Sequence, residues 1–256
     1  MTTPKIVLHN VAKAFGSKKV LAGVDLTVEK GESLVIIGGS GSGKSVTLKC
    51  ILGLIKPDAG EIVIDGEDTV HLSGAKREEM MAHFGMLFQG GALFDSMKVW
   101  ENISFRLMQA NKMHRDEARE VAIKKLAQVG LDANVADLYP AELSGGMQKR
   151  VSLARAIAAD PDIIFFDEPT TGLDPINAAN INELIRTVTR DMGATAITIT
   201  HDMASVRAIA DKVAMIFDGK IIWTGPIDQL DNSGNEHVDQ FIHGRSQGPI
   251  KTVKAA

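Results

Sequence analysis

Eight consecutive residues, Gly38-Gly39-Ser40-Gly41-Ser42-Gly43-Lys44-Ser45, fit the spacing G-x-x-x-x-G-K-[ST]. Each residue type in that pattern has a mechanical task. Glycines let backbone N–H groups converge on phosphate oxygens, and the start of a helix adds its partial positive charge. Lys44 would reach the β- and γ-phosphates of a nucleoside triphosphate, Ser45 would offer a hydroxyl to Mg²⁺, and Val46 would continue the helix. The bland alternative is a Gly/Ser-rich turn with an incidental lysine. Its flanks argue against it, because Leu34-Val35-Ile36-Ile37 has the length and character of a buried strand and Val46 to Leu54 is compatible with a helix.

A second constellation lies at Ile163-Ile164-Phe165-Phe166-Asp167-Glu168, an apolar strand tipped by two carboxylates, as expected at the centre of a parallel sheet. Asp167 suits Mg²⁺, and Glu168, pointing the other way, is placed to orient or deprotonate an attacking water. Adjacent acids in a surface loop are ordinarily just solvated, but at the end of such a strand in a chain that also carries a phosphate-binding loop they read as a hydrolytic pair. Ala194 to Thr200 is another apolar strand and ends at His201-Asp202. A lone histidine is more often structural, yet the carboxyl end of a strand is where open α/β sheets bind ligands, which favours a γ-phosphate or water contact for His201.

Two features stay open at this level. Ser144-Gly145-Gly146, inside Leu143 to Arg150, opens a helix with small residues and is either a second anion site or simple capping, with capping preferred on the residues alone. Phe15 stands among polar neighbours and suits either stacking on a flat heterocycle or capping a sheet edge.

The elements that must position these groups follow from periodicity. Ile6 to Val11 and Val24 to Val28 read as half-buried strands of an antiparallel sheet, with Gly16 to Lys19 as the turn between their flanks. Lys56 to Gly60 is a turn, Glu61 to Gly66 a strand, and Phe84 to Phe88 a strand leading to Gln89 and the hinge Gly90-Gly91. From Val99 to Val129 the period is helical, with Glu117, Arg119, Glu120, Lys124 and Lys125 as a solvated face. Helices over Val151 to Ala158 and Ala178 to Met192, the turn Pro169 to Pro175, and a hairpin about Asp218-Gly219 complete an α/β chain.

With 256 residues, 45% of them hydrophobic, the chain can bury a large core as one domain with an insertion. A net charge of −4 gives no footprint for nucleic acid. The single cysteine, Cys50, permits no internal disulfide and reads as a small core residue in a reducing, cytoplasmic setting. No signal-peptide pattern and no membrane-spanning run are present, so a membrane role would come through a partner.

In their order, these motifs resemble those of the ATPase subunit of an ABC transporter over nearly the whole chain. Gly38 to Ser45 resembles the Walker A loop, Gln89 the Q-loop, Leu143 to Gln148 the signature and Ile163 to Asp167 Walker B. Glu168 resembles the catalytic glutamate, Leu173-Asp174 the D-loop, His201 the switch histidine and Phe15 the adenine-stacking aromatic. Met147 departs from the commonest signature, which has Gln there. The resemblance implies ATP and Mg²⁺ as cofactors, with Lys44, Gln89, Glu168 and His201 catalytic and Ser45, Gln89 and Asp167 around the metal. It also implies a head-to-tail homodimer, in which Ser144, Gly145 and Gly146 of one subunit close on the ATP cradled by the other. The implied fold is a P-loop NTPase (RecA-like) core with an N-terminal antiparallel β subdomain and an inserted α-helical subdomain. The ATPase domain would span residues 1–234, the helical insertion about 90–160, and a C-terminal extension 235–256.

Phe88 to Met97, the Gly-Gly-Met signature and Phe241 to Ile250 are similar to the ATPase of Mla/Mce-type lipid transporters of Gram-negative bacteria. That resemblance implies ATP hydrolysis at the cytoplasmic face of the inner membrane, coupled to phospholipid movement between inner and outer membranes and so to outer-membrane lipid asymmetry. The implied partners are an integral membrane permease, through which the ATPase meets the membrane, an MCE-domain protein and a small STAS-domain subunit. It further implies a C-terminal extension that reaches the other ATPase subunit, for which Val238, Phe241 and Ile242 supply an apolar face. The ATPase of another ABC transporter, such as a polar amino-acid importer, would share every catalytic residue. A soluble ABC ATPase of DNA repair or translation usually carries a long coiled-coil insertion or two cassettes. A P-loop kinase leaves the signature and Glu168 unexplained.

Overall fold

The first strands, β1 (Ile6–Phe15) and β2 (Lys18–Val28), pair antiparallel from Ile6↔Val28 to Phe15↔Lys18. They run further than apolar alternation alone indicates, because Asp58 anchors the polar end: it accepts from Lys13 Nζ at 2.6 Å and from the Ala14 N–H at 2.7 Å. A bulge at Asn10, whose φ is 49°, breaks the register between Leu8 and Val11. Next come β3 (Ser33–Ile37), almost wholly buried, and α1 (Lys44–Ile51). The helix stops short of Leu54, since Gly53 turns left-handed at φ 66°. β4 (Ala59–Ile64) joins the other edge of β1, and the short β5 (Glu67–Asp68) joins β4.

The computed structural model describes residues 3–110 and 112–251, in two compact units: the chain up to Leu72 together with the chain from Ile199 onward, and Ser73–Thr198. The second unit holds α2 (Gly74–Ala82), β6 (Phe84–Leu87), α3 (Val99–Ala110), α4 (Arg115–Gln128), α5 (Gly145–Ala156), β7 (Ile163–Asp167), α6 (Pro175–Met192) and most of β8 (Thr195–Ile199). The helical period expected from Val99 to Val129 is therefore divided between two helices. The face expected to be solvated is interrupted too, because Lys125 is buried and donates to Asp160 at 2.5 Å. β6 and β7 run parallel from Phe84↔Ile163 to Leu87↔Phe166, so the residues leaving both strands emerge side by side. The Phe84 and Phe165 rings meet edge-to-face at 5.4 Å across this pair. Gly85 is required there, since a Cβ would stand 2.3 Å from the Ala156 carbonyl oxygen.

The first unit is completed by α7 (Met203–Ile209), β9 (Lys212–Phe217), β10 (Lys220–Pro226) and α8 (Glu236–Ile242). β9 runs parallel to β3, and β10 returns antiparallel through Asp218 and Gly219, both left-handed at φ 46° and 71°. Asn235 caps α8, and Val238 is fully buried while Phe241 and Ile242 are half-buried. The glycine-rich stretch after α8 is not helical, as its composition predicts. It folds back on the helix: the Gln240 amide donates to the Arg245 and Ile250 carbonyls at 3.1 Å each and accepts the Ile250 N–H at 2.7 Å.

Candidate functional site

In the first unit, the Gly38–Ser45 loop connects β3 to α1, the strand-loop-helix order its sequence predicts. Gly38 has φ 151°, and a Cβ there would stand 2.3 Å from the Ile216 carbonyl oxygen and 2.9 Å from Ser42 Oγ. Gly43 has φ 113°, and a Cβ would stand 2.8 Å from Leu21 Cδ2. At Gly39 and Gly41, by contrast, the space a Cβ would take is open. Two glycines therefore let the loop close against β2 and β9, while two keep its mouth clear. Gly43 is the N-cap of α1 and brings no side chain, so no side-chain acceptor covers the first-turn N–H groups, which have no intrahelical partner. Lys44 Nζ lies back across the loop and donates to the Gly38 and Gly39 carbonyls at 2.6 and 3.0 Å. Ser42 Oγ is buried without a hydrogen-bond partner. An orphaned hydroxyl, a folded-back ammonium and an uncapped helix start together fit an anion of phosphate type.

Phe15 ends β1 about half exposed, with Lys13 Nζ 5.6 Å from its ring centroid. This leaves a ring face available for stacking. Cys50 is buried on α1, and burial pushes its thiol up to about 11, which makes it the inert core residue expected. His201 is exposed and follows β8. Backbone on both sides of it is fixed, because the Thr200 N–H donates to the Ile36 carbonyl at 3.4 Å and Asp202 caps α7 by accepting from Ala204 N–H at 3.0 Å.

In the second unit, β7 ends at Asp167, and Glu168 turns left-handed with φ 48°. Such a conformation is costly for a side chain larger than glycine's and tends to accompany function. Thr171 Oγ1 donates to Glu168 Oε2 at 3.2 Å, which orients the carboxylate. Asp174 is the N-cap of α6. It accepts from the Asn177 side-chain amide at 2.5 Å and from the Ile176 and Asn177 N–H groups at 3.0 and 3.1 Å, and these bonds hold its carboxyl below the ordinary range.

Ser144 is the N-cap of α5 and accepts from the Met147 N–H at 3.3 Å, so the capping reading of the Ser-Gly-Gly start is realised in the chain by itself. The bond uses the backbone of Met147, which is why Met in place of Gln leaves the cap intact. A Cβ on Gly145 would meet open space, and one on Gly146 would make an ordinary contact with Asn177 at 3.4 Å. Gln89 is exposed just beyond β6. Its backbone carbonyl accepts from Lys149 of α5, and the Gly91 and Ala92 carbonyls each accept from Arg155 at 2.7 Å. Nothing in the residue pattern singles out these two cations. Their partners are backbone atoms some sixty positions away, which leave no trace in residue type.

Among the described residues no cluster of three His, Cys, Asp or Glu side chains stands ready for a metal ion, and no helix is long and apolar enough to cross a membrane. A family model described as ABC transporter matches residues 21–171. The chain is 41% identical over 245 residues to the probable ribonucleotide transport ATP-binding protein mkl of Mycobacterium tuberculosis, covering 96% of this chain and 68% of that protein. It is 40% identical over 246 residues to the intermembrane phospholipid transport system ATP-binding protein MlaF of Haemophilus influenzae, covering 96% and 93%. A solved dimeric ATP-binding cassette in a post-hydrolysis state, bound to ADP and Pi, superposes with a TM-score of 0.78 at 32% identity over 87% of this chain and 98% of that one. The α/β fold, the phosphate-type loop after β3 and the matched family model agree: this chain belongs to the ABC transporter family and is one of its ATPase cassettes.

Proposed function

We propose that the chain is the ATP-hydrolysing subunit of a transporter that moves phospholipid between the inner and outer membranes. The observation that carries this is its likeness to a protein named for intermembrane phospholipid transport over 93% of that protein's length. The mycobacterial relative named for ribonucleotide transport is equally similar in identity, but the chain spans only 68% of it. In this reading the cassette works as a homodimer at the cytoplasmic face of the inner membrane, docked on an integral permease together with an MCE-domain protein and a STAS-domain subunit.

Each residue has a proposed role. Phe15 stacks on the adenine, the loop N–H groups and Lys44 hold the phosphates, and His201 meets the γ-phosphate. Ser45, Asp167 and Gln89 would hold Mg²⁺, which neutralises phosphate charge when bound. Glu168 takes a proton from the attacking water, and Asp174, with Ser144 to Gly146 of the partner subunit, closes the site. The test is the complex with its own permease and MCE-domain protein in proteoliposomes carrying labelled phospholipid. ATP-dependent lipid movement is expected, and Glu168→Gln should lower turnover at least ~100-fold while leaving ATP bound. ATP-driven uptake of ribonucleotides or amino acids with no lipid movement would overturn the proposal.

A further inference from the structure

We propose that Lys149 is a positioning residue for Gln89, fixing from α5 the backbone on which that side chain stands, with Arg155 holding the two carbonyls that follow. The segment is pinned at every step. The Gly91 N–H donates to the Phe88 carbonyl at 2.8 Å, and Gly91 and Ala92 are both left-handed at φ 75° and 50°. A Cβ on Gly91 would stand 2.7 Å from Ser152 Oγ, so α5 touches the turn directly. Lys149 then donates to the Gln89 carbonyl, and Arg155 divides its guanidinium between Gly91 and Ala92.

The energetics make this more than packing. Lys149 is only 7% exposed. A backbone carbonyl repays only part of the cost of burying a cation. Lys149 therefore holds the backbone leaving β6, a strand in parallel register with β7. Because α5 begins at Ser144, any shift of that helix carries the Gln89 backbone with it, and the signature and the Q-loop move as one piece.

The inference rests on the proposed role of Gln89 in hydrolysis, so its test separates the two. Steady-state ATPase is measured on the full-length chain in its transporter complex for Gln89→Ala, Lys149→Met and the double variant. Met keeps the volume of the lysine stem without a charge to bury, so folding is retained. Each single change should lower kcat roughly tenfold with KM for ATP within about twofold, and the double should be no more than about twofold slower than Gln89→Ala, because Lys149 acts through Gln89. Lys149→Arg, which can still donate to the carbonyl, should recover most of the rate. Losses that multiply in the double variant, or an unchanged kcat in Lys149→Met, would overturn the inference. An unchanged rate in Gln89→Ala would instead remove the role of Gln89, and the inference with it.

Discussion

Two helices of this chain begin at glycine-rich stretches, and they begin differently. α1 opens behind Gly43, a left-handed residue with no side chain to offer, whereas α5 opens behind Ser144, whose hydroxyl accepts the Met147 N–H. Both starts have the partial positive charge of a helix N-terminus. Only the second spends a side chain on its own donors. The glycines differ in the same sense. Gly38 and Gly43 are fixed by close approach to Ile216 and Leu21, while Gly145 has open space beside it. One start is a rigid cradle built into its unit, and the other is an ordinary capped helix whose glycines leave a clear approach. That contrast suits the proposed division of labour, in which the first holds the triphosphate tightly and the second meets it only when a partner subunit closes.

Substituting the glycines separates the two starts most strongly. Gly38→Ala forces a methyl toward a carbonyl oxygen at 2.3 Å in a backbone region that disfavours side chains. It should cost roughly 3 kcal/mol, lower the melting temperature by about 10 °C and abolish nucleotide binding. Gly145→Ala should leave the melting temperature within about a degree, since the new methyl meets nothing and Ala favours helices. Equal destabilisation by the two, measured by thermal unfolding, would erase the distinction.

Lys44→Ala ranks next. Its ammonium bonds carbonyls of the cradle loop itself, so its loss should be felt in phosphate binding more than in the fold. Triphosphate affinity should fall on the order of 100-fold, about 2.7 kcal/mol, with little change in melting temperature. Calorimetric titration of the full chain checks this, and an unchanged affinity would remove the anion reading of the α1 start.

The parts of the site that were legible in the sequence are those in which chemistry sits in a short window of residue types: the glycines and lysine of the cradle, the acids tipping β7, and the histidine after β8. Element interiors were legible for the same reason, since period and apolarity are local. What escaped depends on distant partners. Lys125 reads as one more charge on a solvated face, yet Asp160, 35 residues away, holds it in a buried position. Lys149 and Arg155 pair with carbonyls, which every residue has. The apolar face of the tail helix reads as seeking a partner, yet Val238 is fully buried and Gln240 clasps the residues that follow.

The smallest effects concern the caps, and here a third helix start, that of α6, sharpens the comparison. Ser144 makes one long bond of 3.3 Å, whereas Asp174 accepts three, from 2.5 to 3.1 Å. Asp174→Ala should therefore destabilise the chain more than Ser144→Ala, for which about 0.5 kcal/mol is expected. The two differ in pH dependence as well. Hydrogen bonds from Asn177 and Ile176 hold the Asp174 carboxyl below its ordinary value, so its contribution is fully present above the ordinary carboxylate range and is lost as pH falls through the lowered value. The stability gap between Asp174→Ala and the parent should narrow on acidification below about pH 4, whereas the gap for Ser144→Ala, a group that does not titrate, should stay constant. Denaturant unfolding at neutral pH and in mild acid measures both gaps. If the Ser144 gap moved with pH as the Asp174 gap does, the cap of α5 would be coupled to a carboxylate. The contrast between a self-sufficient serine cap and a charged one would then have to be given up.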